Sequence, residues 1–411
     1  MSREQHDKPQ VYHWILFTVC LLATAFAGII STLMSVYLPV VVKELLGFKT
    51  EDELNNISAW INSVFIFGGS LGGFIMGIIS DRAGRKPAVI LSILFYSVSA
   101  ILTGFMKSWE AIVICRAFSG FGLGGIIVSG TTLMVEEWPA KSKAIFIGFL
   151  SIAIPVGIFS AGVIDLVATS WRQGFLIGIL PLVIAILSLW LLRESTEWKI
   201  NKGKARPSAQ THSQKFTSQY WLDLVRGSLI FGTMLIGIWA FLSWVPTWIQ
   251  ELMPDQDTQQ ERGISMMLLG GGGLIGGFIS GWLINSIGAW KSMLIFFIVS
   301  ILFSFLLFST NQGVSVSLYL EILVIALVFG ASQGVLSVYI PSLFPVAIRG
   351  TATGICFNTG RLFTAVAVLF VGVLVADLGG YGNSLLIFSL IFVIGLIITY
   401  YSRTANLQKV N

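Results

Sequence analysis

Apolar residues arrive along this chain in runs of about 20 or more, separated by short polar breaks. A helix of about 20 apolar residues matches the ~30 Å hydrocarbon core of a bilayer. The alternation typical of a membrane β-strand is absent, and a helix satisfies its own backbone hydrogen bonds in lipid. The pattern therefore predicts an all-α membrane protein with twelve spans. The predicted spans begin near Trp14, Ile57, Pro87, Ala111, Ala144, Gly174, Gly227, Ile264, Ser292, Val316, Thr351 and Ser384.

Composition supports this interpretation. Of the 411 residues, 55% are hydrophobic and 11% are charged, whereas about a quarter are charged in an ordinary soluble domain. The chain also contains 43 glycines, which allow packed membrane helices to approach closely. Most of this chain is therefore expected to face lipid or other helices rather than water.

The distribution of basic residues predicts the orientation. Most of the 25 lysines and arginines fall in loops on the side of the two termini, and basic loops stay in the cytoplasm. Both termini are therefore predicted to be cytoplasmic, and the high pI reflects these loops rather than binding to nucleic acid. The basic residues placed on the external side are Lys43, Lys49, Lys107, Arg172 and Arg262.

A long polar stretch from Arg193 to Leu222 separates the sixth span from the seventh. Its composition is typical of a flexible linker between two halves. The predicted organisation is a cytoplasmic tail over residues 1–13, a six-helix bundle over 14–192, a cytoplasmic linker over 193–225, a second six-helix bundle over 226–402, and a cytoplasmic tail over 403–411.

The two halves share a weak internal repeat. Two parallel repeats that face each other across a central cavity are typical of transporters that bind substrate near the membrane midplane. The repeated positions are Gly72-Gly73-Phe74 with Gly276-Gly277-Phe278, Gly77 with Gly281, Gly84 with Gly288, Pro139 with Pro345, and Gly148 with Gly354.

The loop between the second and third predicted spans carries the most specific motif. It reads glycine, three residues, aspartate, arginine, one residue, glycine and two basic residues, and this pattern resembles that of the major facilitator superfamily. The resemblance implies two pseudo-symmetric six-helix bundles and transport by alternating access. The residues of the motif, which we interpret as a conformational gate, are Gly77, Asp81, Arg82, Gly84, Arg85 and Lys86.

The physical role expected of this loop is a charge clamp on the cytoplasmic side. Asp81 is placed to pair with an arginine or to cap a neighbouring helix. In the corresponding second-half loop, Asn285 replaces the aspartate and Ser286 replaces the arginine. Cytoplasmic closure is therefore expected to depend on the first-half loop. A loop that only carries positive charge is the alternative, but such a loop would require neither the aspartate nor both glycines.

Arg116 begins a second stretch, with Gly120, Gly122 and Gly124, that resembles the fourth-span pattern of the same family. A guanidinium inside a span is costly unless it faces the bundle interior or a partner. Two interpretations stay open: contact with substrate or coupling ion, and a structural role in a salt bridge or in binding backbone carbonyls.

Arg361 lies in the eleventh span near membrane mid-depth, and Asn358 lies one turn earlier on nearly the same face. The planar guanidinium binds a carboxylate, sulfonate or phosphate through two hydrogen bonds. Arg361 and Asn358 are therefore predicted to bind an anionic substrate. A structural pair with Glu321 or with a helix end is the alternative.

Other polar groups in the spans are weaker candidates. Trp244, Gln333 and Tyr37 are predicted to line the path of an amphipathic substrate. Glu321 is the only acid that we place within a span, and Glu136 lies at the cytoplasmic end of the fourth. Both are candidates for proton coupling, with an interfacial charge (Glu321) and pairing with basic loops (Glu136) as the alternatives.

Two short segments, residues 194–198 and 343–351, resemble the branch of the family that contains sugar, sialate and aromatic-acid proton symporters. Two departures limit the resemblance. The first span lacks the acidic residue that aromatic-acid symporters use, and Ser342 occupies the region where sugar porters carry an acid.

The sequence thus predicts a secondary transporter for a small organic anion, a carboxylate or acidic sugar, coupled to protons and located in a bacterial inner membrane as a monomer. No enzymatic activity, cofactor, metal or nucleic-acid partner is expected. An ATPase in particular is not expected, because the chain shows no glycine-rich phosphate loop with a lysine. A transporter or exporter of a neutral sugar or drug-like compound is the first alternative. A non-transporting receptor with the same fold is the second.

Overall fold

The computed structural model describes residues 9–47, 50–201, 218–345 and 348–407. These residues form α-helices and a short 3₁₀ turn at Leu176–Gly178, and they contain no strand. The helices are α1 (Val11–Leu46), α2 (Glu51–Ala83), α3 (Arg85–Phe105), α4 (Trp109–Glu137), α5 (Lys143–Ser151), α6 (Ala153–Val167), α7 (Trp171–Phe175), α8 (Ile179–Leu191), α9 (Thr196–Asn201), α10 (Ser218–Leu252), α11 (Gln259–Ile287), α12 (Ala289–Thr310), α13 (Val316–Ser342), α14 (Arg349–Val373), α15 (Val375–Leu378), α16 (Tyr381–Ser389) and α17 (Ile391–Leu407).

Within the described residues, 12 segments are long and apolar enough to cross a membrane. The first four spans are α1 to α4, the fifth joins α5 and α6, and the sixth joins α7 and α8. The seventh to eleventh are α10 to α14, and the twelfth joins α16 and α17. The predicted all-α fold with twelve spans is therefore confirmed. Several helices begin earlier than the apolar runs; α2 begins at Glu51 rather than near Ile57, because polar residues continue a helix beyond the hydrocarbon region.

The chain divides into two compact units. The first comprises Met1–Met34, Val64–Ala161 and Val167–His212. The second comprises Ser35–Ser63, Gly162–Leu166 and Ser213–Asn411. The second unit therefore includes the end of α1, the start of α2 and the end of α6 in addition to the helices of the second half. The predicted domain boundaries stay predictions, and their segments 1–8, 202–217 and 408–411 lie outside the described residues.

In the first unit, α2 and α4 approach each other through glycines. A Cβ on Gly72 would overlap the carbonyl oxygen of Phe121, and one on Gly120 would overlap that of Phe65. Only a hydrogen atom fits at these positions, so the two helices pack backbone to backbone.

In the second unit, α11 and α13 form the corresponding pair. A Cβ on Gly276 would overlap the carbonyl oxygen of Leu327, and one on Gly330 would overlap that of Gly273. Gly72 and Gly276 are matching positions of the sequence repeat, and each makes the matching contact within its own unit. The repeat in sequence thus corresponds to a repeated mode of helix packing.

Candidate functional site

Arg361 lies in α14, close to the middle of the eleventh span, Ala352–Val373. Its side chain is half-buried, and its guanidinium makes no hydrogen bond or ion pair with any residue that the structure describes. A charged group at this depth is costly unless it has a partner or reaches water. None of the five N–H donors of Arg361 is thus occupied by a residue that the structure describes.

The packing of α14 against α10 fixes the position of this arginine. Gly360 contacts Gly232 so closely that a Cβ on Gly232 would lie 3.3 Å from the Cα of Gly360. The rings of Phe357 and Phe231 stack with centroids 4.3 Å apart. Asn358 lies one turn before Arg361, is half-buried, and has no hydrogen-bond partner among the described residues. Arg361 and Asn358 thus lie one turn apart on a helix that packs closely against α10.

The three candidates for the substrate path have different environments. Gln333 is exposed in the second half of α13. Trp244 is fully buried, and its indole Nε1 donates to the backbone oxygen of Val368 at 3.2 Å. Tyr37 is buried in the second unit. In this conformation only Gln333 is open to a ligand, while Trp244 holds α10 against α14.

Arg116 is buried inside the first unit, with 1% of its surface exposed. Its Nη1 donates to the backbone oxygen of Ile30 at 3.1 Å, and its Nη2 donates to that of Ser31 at 3.2 Å. The guanidinium also lies 3.9 Å from the ring centroid of Phe65. These contacts correspond to the structural interpretation, in which Arg116 binds backbone carbonyls and ties α4 to α1.

The gate motif forms a charge network in the first unit. Arg85 Nη1 lies 2.6 Å from a carboxylate oxygen of Asp81, and Arg85 Nη2 lies 2.8 Å from one of Glu136. Arg85 Nε donates to both oxygens of Glu136, at 3.0 and 3.1 Å. Asp81 is 54% exposed, whereas Arg85 and Glu136 are mostly buried. Glu136 is therefore the ion-pair partner of Arg85 in this conformation. Pairing with a basic loop is the alternative to proton coupling that the sequence offered for Glu136.

Glu194 completes this network, and the sequence alone did not indicate its role. Its carboxylate accepts hydrogen bonds from the backbone N–H groups of Arg85 at 2.7 Å and Ser195 at 2.9 Å. It therefore caps the N-terminus of α3, where a negative charge is favourable. The indole of Trp198 donates to the backbone oxygen of Asp81 at 2.9 Å. The only sequence signal was that both residues belong to the segment 194–198 noted above.

The second-half loop contains no comparable network among its described residues. Asn285 and Ser286 are exposed, and the Ser286 hydroxyl donates to Trp282 of its own helix at 2.6 Å. The asymmetry seen in the sequence is thus also present in the contacts.

We expect Gly84→Ala to lower the melting temperature of the purified protein more than Gly288→Ala does. Both glycines have positive φ, 125° and 83°, so alanine is strained at both. Only at Gly84 would the new Cβ overlap the carboxylate of Glu194; at Gly288 no atom of a described residue lies within 4 Å of the new Cβ. Displacing Glu194 removes the cap of α3, at a cost of roughly 1–3 kcal/mol. Equal losses of thermal stability in the two variants would contradict this assignment.

Glu321 lies in the first turns of α13 and is bound by its own loop. Asn311 Nδ2 donates to one carboxylate oxygen at 2.7 Å, and the Ser317 hydroxyl donates to the other at 3.0 Å. It forms no pair with Arg361 in this structure. Glu321 therefore has the contacts of an interfacial carboxylate held by polar neighbours.

The expectation that Glu321 is the only acid within a span is wrong. Asp165 lies in the fifth span, Ile145–Val167, and its side chain is 0% exposed. Neither carboxylate oxygen has a hydrogen-bond partner among the described residues. The sequence interpretation missed it because Asp165 stands three residues before the polar turn at Ala168 to Ser170 and looks like part of that loop.

The Major Facilitator Superfamily family model matches residues 20–367. A cis,cis-muconate transport protein of Acinetobacter baylyi is 26% identical over 91% of this chain and 90% of its own length. A sialic acid transporter of Escherichia coli is 28% identical over 81% of each chain. Among solved structures, a D-xylose–proton symporter superposes with a TM-score of 0.80 at 17% identity, over 95% of this chain and 97% of its own. The two relatives are named as transport proteins, and the solved structure is that of a symporter.

Proposed function

Since this chain belongs to the Major Facilitator Superfamily, we propose that it moves a small organic anion, a carboxylate or acidic sugar, across a bacterial inner membrane by alternating access, coupled to protons. Both termini are cytoplasmic in this proposal, and the chain acts as a monomer. Membership of this family and the twelve spans make the chain a multi-pass membrane transporter.

The observation that carries the proposal is the state of Arg361. It is a half-buried arginine at the middle of a span, and none of its donors is occupied by a described residue. A carboxylate that accepts two parallel hydrogen bonds from it would satisfy the guanidinium and neutralise its charge. Asn358, one turn away and equally without a partner, orients the same ligand or binds a second polar group on it.

The names of the similar proteins support an acidic substrate. The relatives include transporters of cis,cis-muconate, gentisate, benzoate and sialic acid, each of which carries a carboxylate. Their identities to this chain lie between 23% and 28%. At this level of identity the relatives support a class of substrate for this chain, but not one particular compound.

Electrostatics favours coupling to protons. An anion that enters the cell alone moves against a membrane potential, at a cost of about 2.3 kcal/mol per charge per 100 mV. Entry of a monovalent acid together with one proton is electrically neutral and removes this cost. The charge network around Arg85 supplies the cytoplasmic gate of the proposed cycle, since its ion pairs join α2, α3 and α4 on the side of the termini.

The experiment that tests the anionic substrate compares acids with their neutral amides. We expect at least one of benzoate, nicotinate and N-acetylneuraminate to raise the melting temperature of the purified protein, whereas benzamide and nicotinamide, which have nearly the same shape as benzoate and nicotinate, leave it unchanged. A ligand at about 100 times its Kd stabilises by about 2.7 kcal/mol. The series also includes N-acetylneuraminate as an acidic sugar and D-xylose as a neutral one.

The outcomes separate the alternatives. Stabilisation by D-xylose or by the amides, equal to that by the acids, would contradict an anionic substrate and favour a neutral one. Stabilisation by an acid without its uptake into liposomes would indicate a non-transporting receptor. If uptake does not respond to an imposed pH gradient, proton coupling is contradicted, whereas the anionic substrate is not.

A further inference from the structure

Asp165 is a buried acid that the proposed substrate site and the gate do not use. It lies near the end of α6, in the segment Gly162–Leu166 that belongs to the second unit. Its side chain is 0% exposed, and both of its carboxylate oxygens lack a hydrogen-bond partner among the described residues. Its backbone oxygen, in contrast, accepts a hydrogen bond from the side chain of Gln259. The backbone of Asp165 is thus fixed while its carboxyl group is left unsatisfied.

The arginine that attracts this carboxyl group, Arg262, makes no direct contact with it. Arg262 in α11 is 2% exposed, and its Nη1 donates to Gln250 and to Thr258, each at 2.7 Å. Neither acceptor is charged, and Arg262 forms no ion pair with Asp165 among the contacts of the described residues. Arg262 interacts with Asp165 only through a longer-range electrostatic attraction.

Other titratable groups surround the two residues. Asp257, in the turn before α11, acts on Asp165 with a like charge. Glu261 in α11 and Tyr37 in α1 interact with Arg262. Asp257 is exposed, so water screens it. Among these groups, Asp165 alone combines complete burial of the side chain with two carboxylate oxygens that accept no hydrogen bond.

An ionised carboxylate in such a place costs several kcal/mol, because it has lost water and gained no hydrogen bond. The neutral acid costs much less, since it carries no net charge. This packing is therefore compatible with a protonated Asp165 and disfavours an ionised one. Loss of the proton favours an arrangement in which water reaches the carboxylate or Arg262 pairs with it.

Contacts at the end of the spans where Asp165 lies hold helices of the second unit together. Gly162 of α6 lies so close to α11 that a Cβ on it would overlap the carbonyl oxygen of Gly263. Asn62 of α2 donates to the backbone oxygen of Ser243 in α10 at 3.2 Å. The Tyr381 hydroxyl of α16 donates to Asn55 of α2 at 2.7 Å. These contacts lie at the end of the spans opposite to the termini.

We propose that Asp165 is a proton-binding site that controls this end of the transporter: with the proton bound the end stays closed, and loss of the proton opens it. The step is a simple proton transfer, in which water at that end supplies a proton to a carboxylate oxygen and takes it back on opening. The inference rests on the alternating-access part of the proposed function and does not depend on the identity of the substrate.

The test follows opening by labelling a cysteine at Ala59, which is 0% exposed and packs close to Gly372 and Trp244 at the same end. The background lacks the native thiols of Cys20, Cys115 and Cys356. The rate of reaction with a membrane-impermeant maleimide is measured between about pH 5 and about pH 9, a range that includes the documented values for buried carboxyl groups. Each rate is divided by that of the same protein with Asp165→Asn, which cancels the pH dependence of the thiol itself.

We expect this ratio to be near one at low pH and to rise by up to about tenfold per pH unit as Asp165 loses its proton. Asp165→Ser, a second neutral variant, should label as Asp165→Asn does. Asp257→Asn, an exposed acid of the same region, should keep the rise. A flat ratio, no labelling at any pH, or a rise that disappears with Asp257→Asn would overturn the proposal. Failure of the organic acids to bind or enter liposomes would contradict the proposed substrate and leave the labelling result intact.

Discussion

Replacing Arg361 with glutamine is expected to abolish stabilisation by the organic acid and to reduce its uptake by at least about 100-fold. A hydrogen bond to a charged group contributes about 1.5–3 kcal/mol, and a bidentate contact contains two of them. Their loss corresponds to at least two powers of ten in Kd, since each 1.4 kcal/mol is a factor of ten. Glutamine keeps a polar side chain of moderate length. The substitution therefore tests the charge of the guanidinium and its two parallel N–H donors rather than packing.

The matched control for this substitution is Arg226→Gln. Arg226 lies near the start of α10, is one-third exposed, and has a nearby acid, with Asp223 at 3.6 Å. We expect this variant to bind the acid as the parent does. Arg361→Lys should retain part of the affinity, because it keeps the charge and loses the planar fork. If the Arg361→Gln protein takes up every acid that the parent binds at the same rate as the parent does, the anion site is not at Arg361.

The second large effect is expected at the proposed cytoplasmic gate, where Glu136→Gln should lower uptake by about tenfold or more. Arg85 and Glu136 are 13% and 12% exposed, and removing one partner of a buried ion pair typically costs about 3–5 kcal/mol. Arg85 would then depend on Asp81, which is 54% exposed and well screened. The measurement is initial uptake of the acid into liposomes that contain equal amounts of folded protein.

The asymmetry between the two halves supplies the comparison. Asp81→Ala removes the other acid of Arg85 and should reduce uptake clearly, whereas Asn285→Ala, at the matching position of the second half, should have little effect. Asn285 is exposed and its neighbour Ser286 donates only to its own helix. Equal transport losses from Asp81→Ala and Asn285→Ala would show that closure does not depend on the first-half loop.

The sequence by itself determined the twelve spans, the repeat and the gate motif. These features are local: a run of apolar residues either is or is not long enough for the bilayer, and a loop motif lies within ten residues. The pairing of Asp81 with Arg85 is local too, because residues four apart in a helix lie on one face. Arg361 was likewise found from its depth in an apolar run, since a charge there requires an explanation.

Only the tertiary structure decided which partner each buried polar group has. Glu194 accepts a hydrogen bond from the start of α3, more than 100 residues away in the sequence. Arg116 donates to the backbone carbonyls of Ile30 and Ser31. The indole of the buried Trp244 donates to the backbone oxygen of Val368. Asp165 shows the reason most clearly. Its position in the sequence is that of a loop acid in water, but neighbouring helices bury it, and the environment of a carboxyl group depends on what surrounds it in space.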